Sequence, residues 1–270
     1  MAGERDWAPP GTDTRRANVA RVYDYLLGGS HNFLTDQDAG RALLAVQPDI
    51  RVFAQANRAF LRRAVRFLAA AGISQFLDIG SGIPTEGNVH EIAQRAAPKA
   101  RVVYVDIDEV AVAHSKALLA GNPIAAVIEG DLREPGKILD QAAAGRLIDF
   151  AQPAGLLLNM VLHFLADTDD PWQIVATLRD ALAPGSYLVL GHGFAEGTPA
   201  VSQAATKLYN RRVSTDVRVR SRAEILRFFD GFNLVDPGLV QIPQWRPDSP
   251  ADVPADLSRF WGLVGVGRKP

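Results

Sequence analysis

The fold of this chain is decided by one stretch, Gln75–Thr85, which has the sequence QFLDIGSGIPT. Its first five residues have the pattern of a buried strand, and the two glycines after them form a turn that lets a ligand approach the backbone. Open α/β sheets bind ligands at the carboxyl ends of their strands, so the stretch predicts a binding site as well as a strand. The dinucleotide fingerprint asks for Gly or Ala at the sixth position of such a turn, where Thr85 stands, so pyrophosphate binding is weakly supported.

Outward from this stretch, short apolar runs alternate with helical segments. The runs are Gln75–Ile79, Arg101–Asp106, Ala125–Glu129, Gly155–Met160 and Ser186–Gly191, and the helices between them are predicted at Glu86–Ala96, Glu109–Leu119, Gly136–Ala144 and Pro171–Leu182. The runs are rich in Val, Ile and Leu with little polar alternation, which is typical of buried parallel strands. Regular alternation of strand and helix implies right-handed crossovers and a doubly wound α/β sheet.

The two ends of the chain have other patterns. We predict a flexible tail over 1–13, a helix over Thr14–Leu27 capped by Thr12 or Asp13, a polar turn over Ser30–Asp38 and a helix over Asp49–Ala71. Irregular helix is predicted over Pro199–Phe229, followed by strands over Phe232–Val240 and Trp261–Val266 that form an antiparallel hairpin at the sheet edge. Residues 14–270 are therefore expected to form one domain, with a helical cap over 14–72, a cofactor-binding core over 73–193, and an insertion with the hairpin over 194–270.

Composition excludes several classes of protein. The 270 residues are 47% hydrophobic, carry a net charge of -1 and include no cysteine. The absence of cysteine excludes a cysteine nucleophile and a thiolate zinc site, and no metal site is predicted. No apolar run reaches the roughly 18 to 20 residues that span a bilayer, and the N-terminus lacks the apolar core of a secretory signal. We expect a cytoplasmic protein that binds neither membrane nor nucleic acid, with its oligomeric state left open.

Three acidic residues lie at the ends of three predicted strands. Asp78 precedes the glycine turn, Asp106 ends the second strand and Asp131 follows the third. The first suits an amino group, the second two ribose hydroxyls and the third the exocyclic amine of adenine, while Ile107 and Leu132 offer apolar surface to a purine ring. A ligand with amine, ribose and adenine but no phosphate fits this set best. S-adenosylmethionine is therefore the predicted cofactor, and NAD is the alternative.

Further motifs cover nearly the whole chain from about residue 14. They are Tyr23–Gly29 with His31–Phe33, Ala56–Leu61, Phe76–Pro84, Val103–Asp108 with His114, Gly130–Pro135, Val161–Phe164, Pro237–Val240, Trp245–Pro247 and Val266–Pro270. On these residues the chain resembles the class I S-adenosylmethionine-dependent methyltransferases and, within them, an actinobacterial family whose substrate is unassigned. The resemblance implies a Rossmann-like, doubly wound sheet of seven strands, the last one antiparallel, with an N-terminal helical extension.

The resemblance also implies roles for single residues. The residues expected to bind the cofactor are Tyr23, Asn32, Arg58, Asp78, Gly80, Ser81, Gly82, Pro84, Asp106, Ile107, Asp131, Leu132, Asn159 and Met160. Among them, Asp78 and the glycines are expected around the methionine part, Asp106 on the ribose and Asp131 near the adenine. The N-terminal helices are expected to fold over the cofactor as a lid through Tyr23 and Asn32, with Arg58 reaching its carboxylate.

Three residues near the ends of the fourth and fifth strands are candidate catalytic groups. Asn159 ends the fourth strand, His163 follows it, and His192 follows the fifth. A histidine with its ordinary pKa of about 6.5 suits a general base near neutral pH. The cofactor is already activated, however, so the protein mostly positions the acceptor and excludes water.

These observations predict a methyltransferase that uses S-adenosylmethionine and acts on a small-molecule acceptor. The alternatives are a non-catalytic protein that retains S-adenosylmethionine or S-adenosylhomocysteine and, with less support, an NAD-dependent oxidoreductase. A basic run over 207–227 is expected either to bind an acidic substrate or a nucleic acid, or to form a solvated helix face with internal salt bridges. An open cavity lined by Asn159, His163 or the insertion would favour the enzyme over the binding protein.

Overall fold

The computed structural model describes residues 8–9, 11–84, 87–196, 200–213 and 216–270. Most of the predicted tail lies outside these residues, as do Thr85 of the turn and the first residues of two predicted helices, Glu86 and Pro199. The helices are α1 (Val19–Leu27), α2 (Leu34–Val46), α3 (Ile50–Ala70), α4 (Val89–Ala96), α5 (Glu109–Leu118), α6 (Pro135–Ala144), α7 (Pro171–Ala181), α8 (Ala200–Arg212) and α9 (Arg222–Arg227). The strands are β1 (Gln75–Ile79), β2 (Arg101–Asp106), β3 (Ala125–Glu129), β4 (Gly155–Asn159), β5 (Tyr187–Gly193), β6 (Asn233–Leu234), β7 (Val240–Gln241) and β8 (Gly262–Arg268).

The strands form one sheet in the order β3-β2-β1-β4-β5-β8-β6, with β7 also paired to β8. Strands β1 to β5 are parallel, and β8 runs antiparallel to β5 along its whole length. Because β5 occupies one edge of β8, the dipeptide strands β6 and β7 share the other edge, and the sheet has seven positions across. The predicted doubly wound sheet with an antiparallel last strand is confirmed.

The strand predicted over 232–240 is broken in two. Only Asn233–Leu234 and Val240–Gln241 pair with β8, and Asp236, Pro237 and Gly238 separate them. Proline has no N–H to donate to a sheet, and Gly238 has a φ of 84°, a left-handed conformation that favours glycine and turns the chain. The two strands that pair with the outer edge of β8 are therefore only two residues long each.

Both faces of the sheet are covered, which explains why the strands lack polar alternation. On one face Leu77 belongs to a core cluster with residues of α6, α7 and α9, whereas its neighbour Phe76 belongs to the opposite cluster. That second cluster contains Phe60 and Leu68 of α3, and Trp245. Alternate residues of a strand point to opposite faces, so each strand contributes to both cores.

The N-terminal helices differ from the prediction in two places. The helix predicted from Thr14 begins at Val19, because Asn18 is its N-cap and accepts a hydrogen bond from the Ala20 N–H at 2.8 Å. The turn predicted over 30–38 instead leads into α2, an element that the prediction missed. Asp36 accepts from the Phe33 N–H at 2.8 Å and caps this helix, so a polar residue that resembles a turn former is a capping residue.

Candidate functional site

A cavity of about 620 Å³ lies at the carboxyl ends of the central strands. Helices α1 and α3 cover it from one side, and residues of the 194–270 segment close it from another. Of the residues predicted to act here, those that line the cavity are Tyr23, Arg58, Asp78, Gly80, Ser81, Gly82, Asp106, Ile107, Asp131, Leu132, Asn159, Met160 and His163. The cavity size is within the range of small-molecule binding sites.

The glycine turn after β1 approaches the cavity for two different steric reasons. Gly80 and Gly82 have φ angles of 74° and 67°, which favour glycine. A Cβ on Gly80 would overlap the Val161 side chain, whereas a Cβ on Gly82 would meet no atom of the described residues within 4 Å. The first glycine thus permits close packing inside the protein, and the second leaves room for a ligand.

Asp106 is held at the end of β2 by backbone donors. Its Oδ2 accepts from the Gly82 N–H at 2.7 Å and its Oδ1 accepts from the Asp108 N–H at 2.9 Å. Burial raises the pKa of Asp106 to about 6, although these N–H donors act in the opposite direction. Each carboxylate oxygen accepts more than one hydrogen bond, so the group retains capacity for the hydroxyls of a ligand.

Asp78 faces the cavity together with a cation from α3. Burial raises the pKa of Asp78 to about 7, with Arg58 opposing the rise and Asp106 adding to it. Beside Arg58, Asn57 donates from its Nδ2 to the Tyr23 hydroxyl at 3.0 Å. Asp78, Arg58 and Tyr23 therefore line the same part of the cavity. The ammonium group of an amino acid would face the Asp78 carboxylate there, and its carboxylate would face the Arg58 guanidinium.

The third predicted acid has a different environment. Asp131 accepts a forked set of hydrogen bonds from Arg133, the shortest at 2.6 Å from Nη2. Burial alone would raise the pKa of Asp131, but the bonds from Arg133 outweigh burial and lower the pKa. Nearby, Ile107 is 60% exposed although it is a large apolar residue. Because Ile107 lines the cavity, its side chain offers apolar surface there.

Several polar atoms around the cavity have no hydrogen-bond partner. Asn57 Oδ1, Ser81 Oγ, Asn159 Oδ1 and His163 Nδ1 are all buried and unpaired, and all four residues line the cavity. Buried polar atoms are nearly always paired in native proteins, so a cluster of exceptions indicates a ligand. These acceptors, together with three acids and the space beside Gly82, fit a ligand rich in N–H and O–H donors. S-adenosylmethionine has such groups in its amine, ribose and adenine.

His163 lies on the short helical turn after β4, against the cavity. Burial lowers its pKa well below 6.5, and His192 and Arg220 nearby lower the pKa further. The imidazole is therefore neutral at pH 7, and its lone pair can accept a hydrogen bond, whereas uptake of a full proton is disfavoured by the same burial.

The structure corrects the placement of His192. This residue is inside β5 rather than after it, fully buried, and is not among the described residues that line the cavity. Arg220 donates to its Nε2 at 2.9 Å, so Nδ1 bears the proton and donates to the Gly193 carbonyl at 2.7 Å. Because both ring nitrogens are engaged and burial lowers the pKa to about 4, His192 supports the wall of the site without contacting an acceptor.

Arg220 belongs to the basic run, yet it is 3% exposed and unavailable to an acidic substrate. It donates to the carbonyls of Leu162 and Leu165, each at 3.0 Å, and to Asp167 at 2.8 Å. The alternative that the basic run forms a solvated helix face is therefore wrong for Arg220, which is buried. Arg220 fixes the loop after β4, on which His163 lies.

Asn32 and Pro84 are also placed away from the main cavity. The Asn32 amide donates to Asp24 Oδ2 at 2.7 Å and to the Gly29 carbonyl at 3.0 Å, which holds the turn after α1. Among the described residues, Asn32 is not part of the lining, because its polar atoms serve this turn. Pro84 lines a small adjoining recess that shares Arg58 with the main cavity.

Four aromatic side chains are part of the remaining lining, and the prediction missed them as site residues. Phe53 and Trp261 stack with ring centroids 4.7 Å apart, and Phe164 and Tyr209 stack at 6.5 Å. They come from four separate segments, so no local motif groups them. Asn57 was also missed as a site residue, although it lies in a motif that supports the family resemblance.

The described residues contain neither a metal-binding cluster nor a membrane-spanning helix. Over the described ranges, no group of three or more His, Asp or Glu side chains is arranged to hold a metal ion. None of the helices in that part of the chain is both long enough and apolar enough to cross a membrane.

Comparison with known proteins places this site in a family. Residues 5–270 match the model of the S-adenosyl methyltransferase family. A candidate methyltransferase of known structure from Thermobifida fusca YX is 43% identical, with a TM-score of 0.91 over 98% of this chain and 99% of its own. A DUF574 family protein from Streptomyces avermitilis MA-4680 is 41% identical, with a TM-score of 0.91 over 96% and 99% of the two chains.

A more distant structure shares only the fold. The N-methyltransferase NodS from Bradyrhizobium japonicum WM9, in complex with S-adenosyl-L-homocysteine, is 16% identical, with a TM-score of 0.50 over 87% of this chain and 98% of its own. No curated protein matches the chain. The family model covers almost every residue, and the strand-end acids and glycine turn are the parts expected of a cofactor site. The chain therefore belongs to the S-adenosyl methyltransferase family and is a methyltransferase that uses S-adenosyl-L-methionine.

Proposed function

We propose that this methyltransferase acts on a small-molecule acceptor bound in the same cavity as the cofactor. The observation that supports the proposal is the continuity of the cavity, which extends from Asp78, Asp106 and Asp131 to Asn159 and His163. Its volume of about 620 Å³ suits small molecules, and residues of the insertion contribute to its lining. A protein that only retained the cofactor would have no need for lining beyond the cofactor's own groups.

The cofactor end is assigned to the strand ends. Asp106 would accept from the ribose hydroxyls, and Ile107 would pack on the adenine. Asp78 would bind the amino group and Arg58 the carboxylate, in a region that Tyr23 and Asn57 close from above the sheet. Asp131 is a weaker candidate for the adenine amine, because Arg133 already takes its oxygens. Asn32 has no contact with the cofactor in this proposal, because its amide holds the turn after α1.

When bound, S-adenosylmethionine supplies a methyl carbon on a positive sulfur, and the acceptor lone pair bonds to that carbon as the carbon–sulfur bond breaks with its electron pair left on sulfur. The protein's part is to position the acceptor and exclude water. Asn159 Oδ1 would orient the acceptor by accepting a hydrogen bond from the O–H or N–H group that is methylated. The unpaired Nδ1 of the neutral His163 would accept a hydrogen bond from the same group, and the proton that the acceptor releases would pass to solvent, because burial disfavours a protonated His163.

We also propose that residues 14–270 act as one domain. The cavity draws its lining from all three predicted segments: the helical cap at Tyr23, the core at Asp106 and the insertion at Tyr209. Without the helical cap and the insertion, the cofactor-binding core alone would leave the cavity open on two sides.

The test uses S-adenosylmethionine with a tritium-labelled methyl group. Purified protein is incubated with a bacterial extract that has been separated by ultrafiltration into small molecules and macromolecules. Label transferred to the small molecules supports the proposal, and label found only on macromolecules contradicts it. If S-adenosylhomocysteine binds but no label moves in either fraction, the non-catalytic alternative replaces the proposal. Asp106→Ala is the control, because it removes the assigned ribose contact without touching the acceptor region.

A further inference from the structure

We infer that the acceptor is an uncharged, planar aromatic molecule that bears a hydroxyl or amino group. The inference rests on the proposed function and names the substrate class of the same cavity. Three observations support it: the shape of the aromatic lining, the location of the charges and the unpaired acceptors beside the lining.

Two stacked pairs of rings are part of the cavity lining, and their residues come from segments that carry none of the strand-end acids. Phe53 and Trp261 are nearly parallel, with an interplanar angle of 8°, and Phe164 and Tyr209 are inclined by 26°. All four residues line the cavity and are partly exposed. Aromatic side chains exposed to a cavity lose water when a flat ring packs on them, and ring pairs add a favourable geometry of their own.

The two pairs belong to one continuous wall. Gly193, at the end of β5, pairs with the residue after Trp261. A Cβ on Gly193 would lie 3.2 Å from Val219 Cγ1, and the neighbouring Arg218 N–H donates to the His163 carbonyl at 2.7 Å. His163 in turn precedes Phe164, so short contacts connect one ring pair to the other.

The charges of the lining disfavour an anionic acceptor. Among the described lining residues, the cations are Arg58 and Arg133, and both lie at the cofactor end. Arg133 is paired with Asp131, and Arg58 acts electrostatically on Asp78. The charged residue of the insertion in this lining is the exposed Asp216, an acid. Among the described lining residues, the segments that carry Phe164, Tyr209 and Trp261 provide no cation for a carboxylate or phosphate on the acceptor.

Two lining residues, Asn159 and His163, have unpaired atoms that a hydrogen-bond donor would satisfy. Asn159 Oδ1 is a buried acceptor without a partner, and His163 Nδ1 is buried and unpaired as well. An aromatic ring alone would leave both atoms unsatisfied at a free-energy cost, whereas a hydroxyl or amino group would donate to one of them. Such a group is also the nucleophile that methylation requires.

The experiment measures binding, so it does not depend on turnover. Protein saturated with S-adenosylhomocysteine is titrated calorimetrically with 2-naphthol, with decahydro-2-naphthol and with 2-naphthoate. The second probe keeps the hydroxyl and the carbon skeleton but is not aromatic, and the third keeps the rings but is anionic. We expect 2-naphthol to bind at least about tenfold more tightly than either of the others.

Variants of the ring pairs locate the binding. Trp261→Leu and Tyr209→Leu are each expected to weaken the binding of 2-naphthol by about fivefold, while Trp261→Phe keeps most of the affinity. Leu234→Ala, at an exposed position on the edge strand β6, is the matched control and should change nothing. All four variants should bind S-adenosylhomocysteine like the parent protein, which also shows that they fold.

The outcomes separate this inference from the function on which it rests. Equal binding of decahydro-2-naphthol refutes the aromatic class, and equal or tighter binding of 2-naphthoate refutes the charge argument. Binding of S-adenosylhomocysteine without any of the three probes overturns the inference and leaves the cofactor site intact. Failure of S-adenosylhomocysteine itself to bind would instead count against the proposed function.

Discussion

The cofactor end and the acceptor end of the cavity are built by different rules. At the cofactor end, Asp78, Asp106 and Asp131 each lie at or directly after the end of a parallel strand, and backbone register brings them together. At the acceptor end, Phe53 and Trp261 come from opposite ends of the chain and meet only through tertiary packing. Backbone geometry thus specifies the strand-end acids of the cofactor site, while the packing of side chains from distant segments forms the proposed acceptor site.

The largest predicted effect tests the packing of the cofactor end with a matched pair, Gly80→Ala and Gly82→Ala. Both positions have positive φ, so both variants lose about 1–2 kcal/mol of stability to backbone strain. In Gly80→Ala the new methyl also overlaps Val161, which adds about 1–3 kcal/mol. Urea unfolding of the two variants without ligand measures the difference.

Ligand binding should reverse the order of the pair. Gly82→Ala places its methyl in open space within the cavity, so we expect it to weaken S-adenosylhomocysteine although it is the more stable variant. If the two variants unfold at the same urea concentration, the overlap with Val161 is relieved by a small shift and the argument from packing fails.

The second effect is at the acceptor end, where Arg220→Met should lower the free energy of unfolding by about 2–4 kcal/mol. The variant leaves the carbonyls of Leu162 and Leu165 without their donor, and such unmade bonds cost about 1–3 kcal/mol each. Because Arg220 supports the loop after β4 and not the strand-end acids, affinity for S-adenosylhomocysteine should stay near that of the parent. Urea unfolding and calorimetry measure the two quantities.

Arg227→Met is the control, since Arg227 is exposed and lies over the Trp172 ring at 4.1 Å. We expect Arg227→Met to lower the free energy of unfolding by less than about 1 kcal/mol. An Arg220→Met protein as stable as this control would show that the buried hydrogen bonds of Arg220 contribute little.

The same contrast explains how much of the molecule the sequence could predict. The succession of the parallel strands β1 to β5 along the chain, the antiparallel last strand and the glycine turn follow from strand patterns and local chemistry, which are encoded within a few residues. Asp78 and Asp106 were predictable for the same reason. Two features were missed for different reasons. The cap of α2, Asp36, has the local pattern of a turn residue, whereas the strand that contains His192 extends beyond its apolar run because it pairs with the distant strand β8.

The aromatic wall was unpredictable on similar grounds. Trp261 precedes the last strand and Tyr209 lies on a helix of the insertion, and each has the local pattern of an ordinary partly buried aromatic residue. Nothing in the spacing of these residues indicates that they share a cavity. A binding site made of single residues from separate elements requires the tertiary structure to be seen.

A third, smaller effect concerns the ribose contact alone. Asp106→Ala should weaken S-adenosylhomocysteine by about 1–3 kcal/mol, the cost of losing a hydrogen-bonded charged partner. Calorimetric titration at a pH of about 8 measures it, with Asp131→Ala as the comparison. Because Arg133 already pairs with Asp131, we expect the second variant to lose less affinity. Equal losses would mean that Arg133 releases Asp131 when the ligand binds.

The smallest effect is a pH dependence that originates at the cofactor end. The pKa of Asp78 is raised to about 7, so its carboxylate becomes protonated in the ligand-free protein as pH falls through neutrality. A protonated Asp78 has no charge with which to bind the ligand's amino group. Affinity for S-adenosylhomocysteine should therefore fall by up to about tenfold for each pH unit below 7, as calorimetry between about pH 8 and pH 6 would measure.

Asp78→Asn supplies both the control and the thermodynamic counterpart. A raised carboxyl pKa means that the folded state holds its proton more tightly than the unfolded state, so the stability contributed by Asp78 is full below its ordinary pKa of 3.8 and is lost as pH rises through 7. The Asn variant removes that loss, and the ligand-free protein should gain up to about 1.4 kcal/mol at pH 8 for each unit of pKa shift removed. Its weaker binding should decline only near pH 6, where Asp106 titrates. If the parent keeps a constant affinity down to pH 6 while Asp78→Asn is no more stable at pH 8, then Arg58 holds Asp78 ionised and burial does not control this carboxyl.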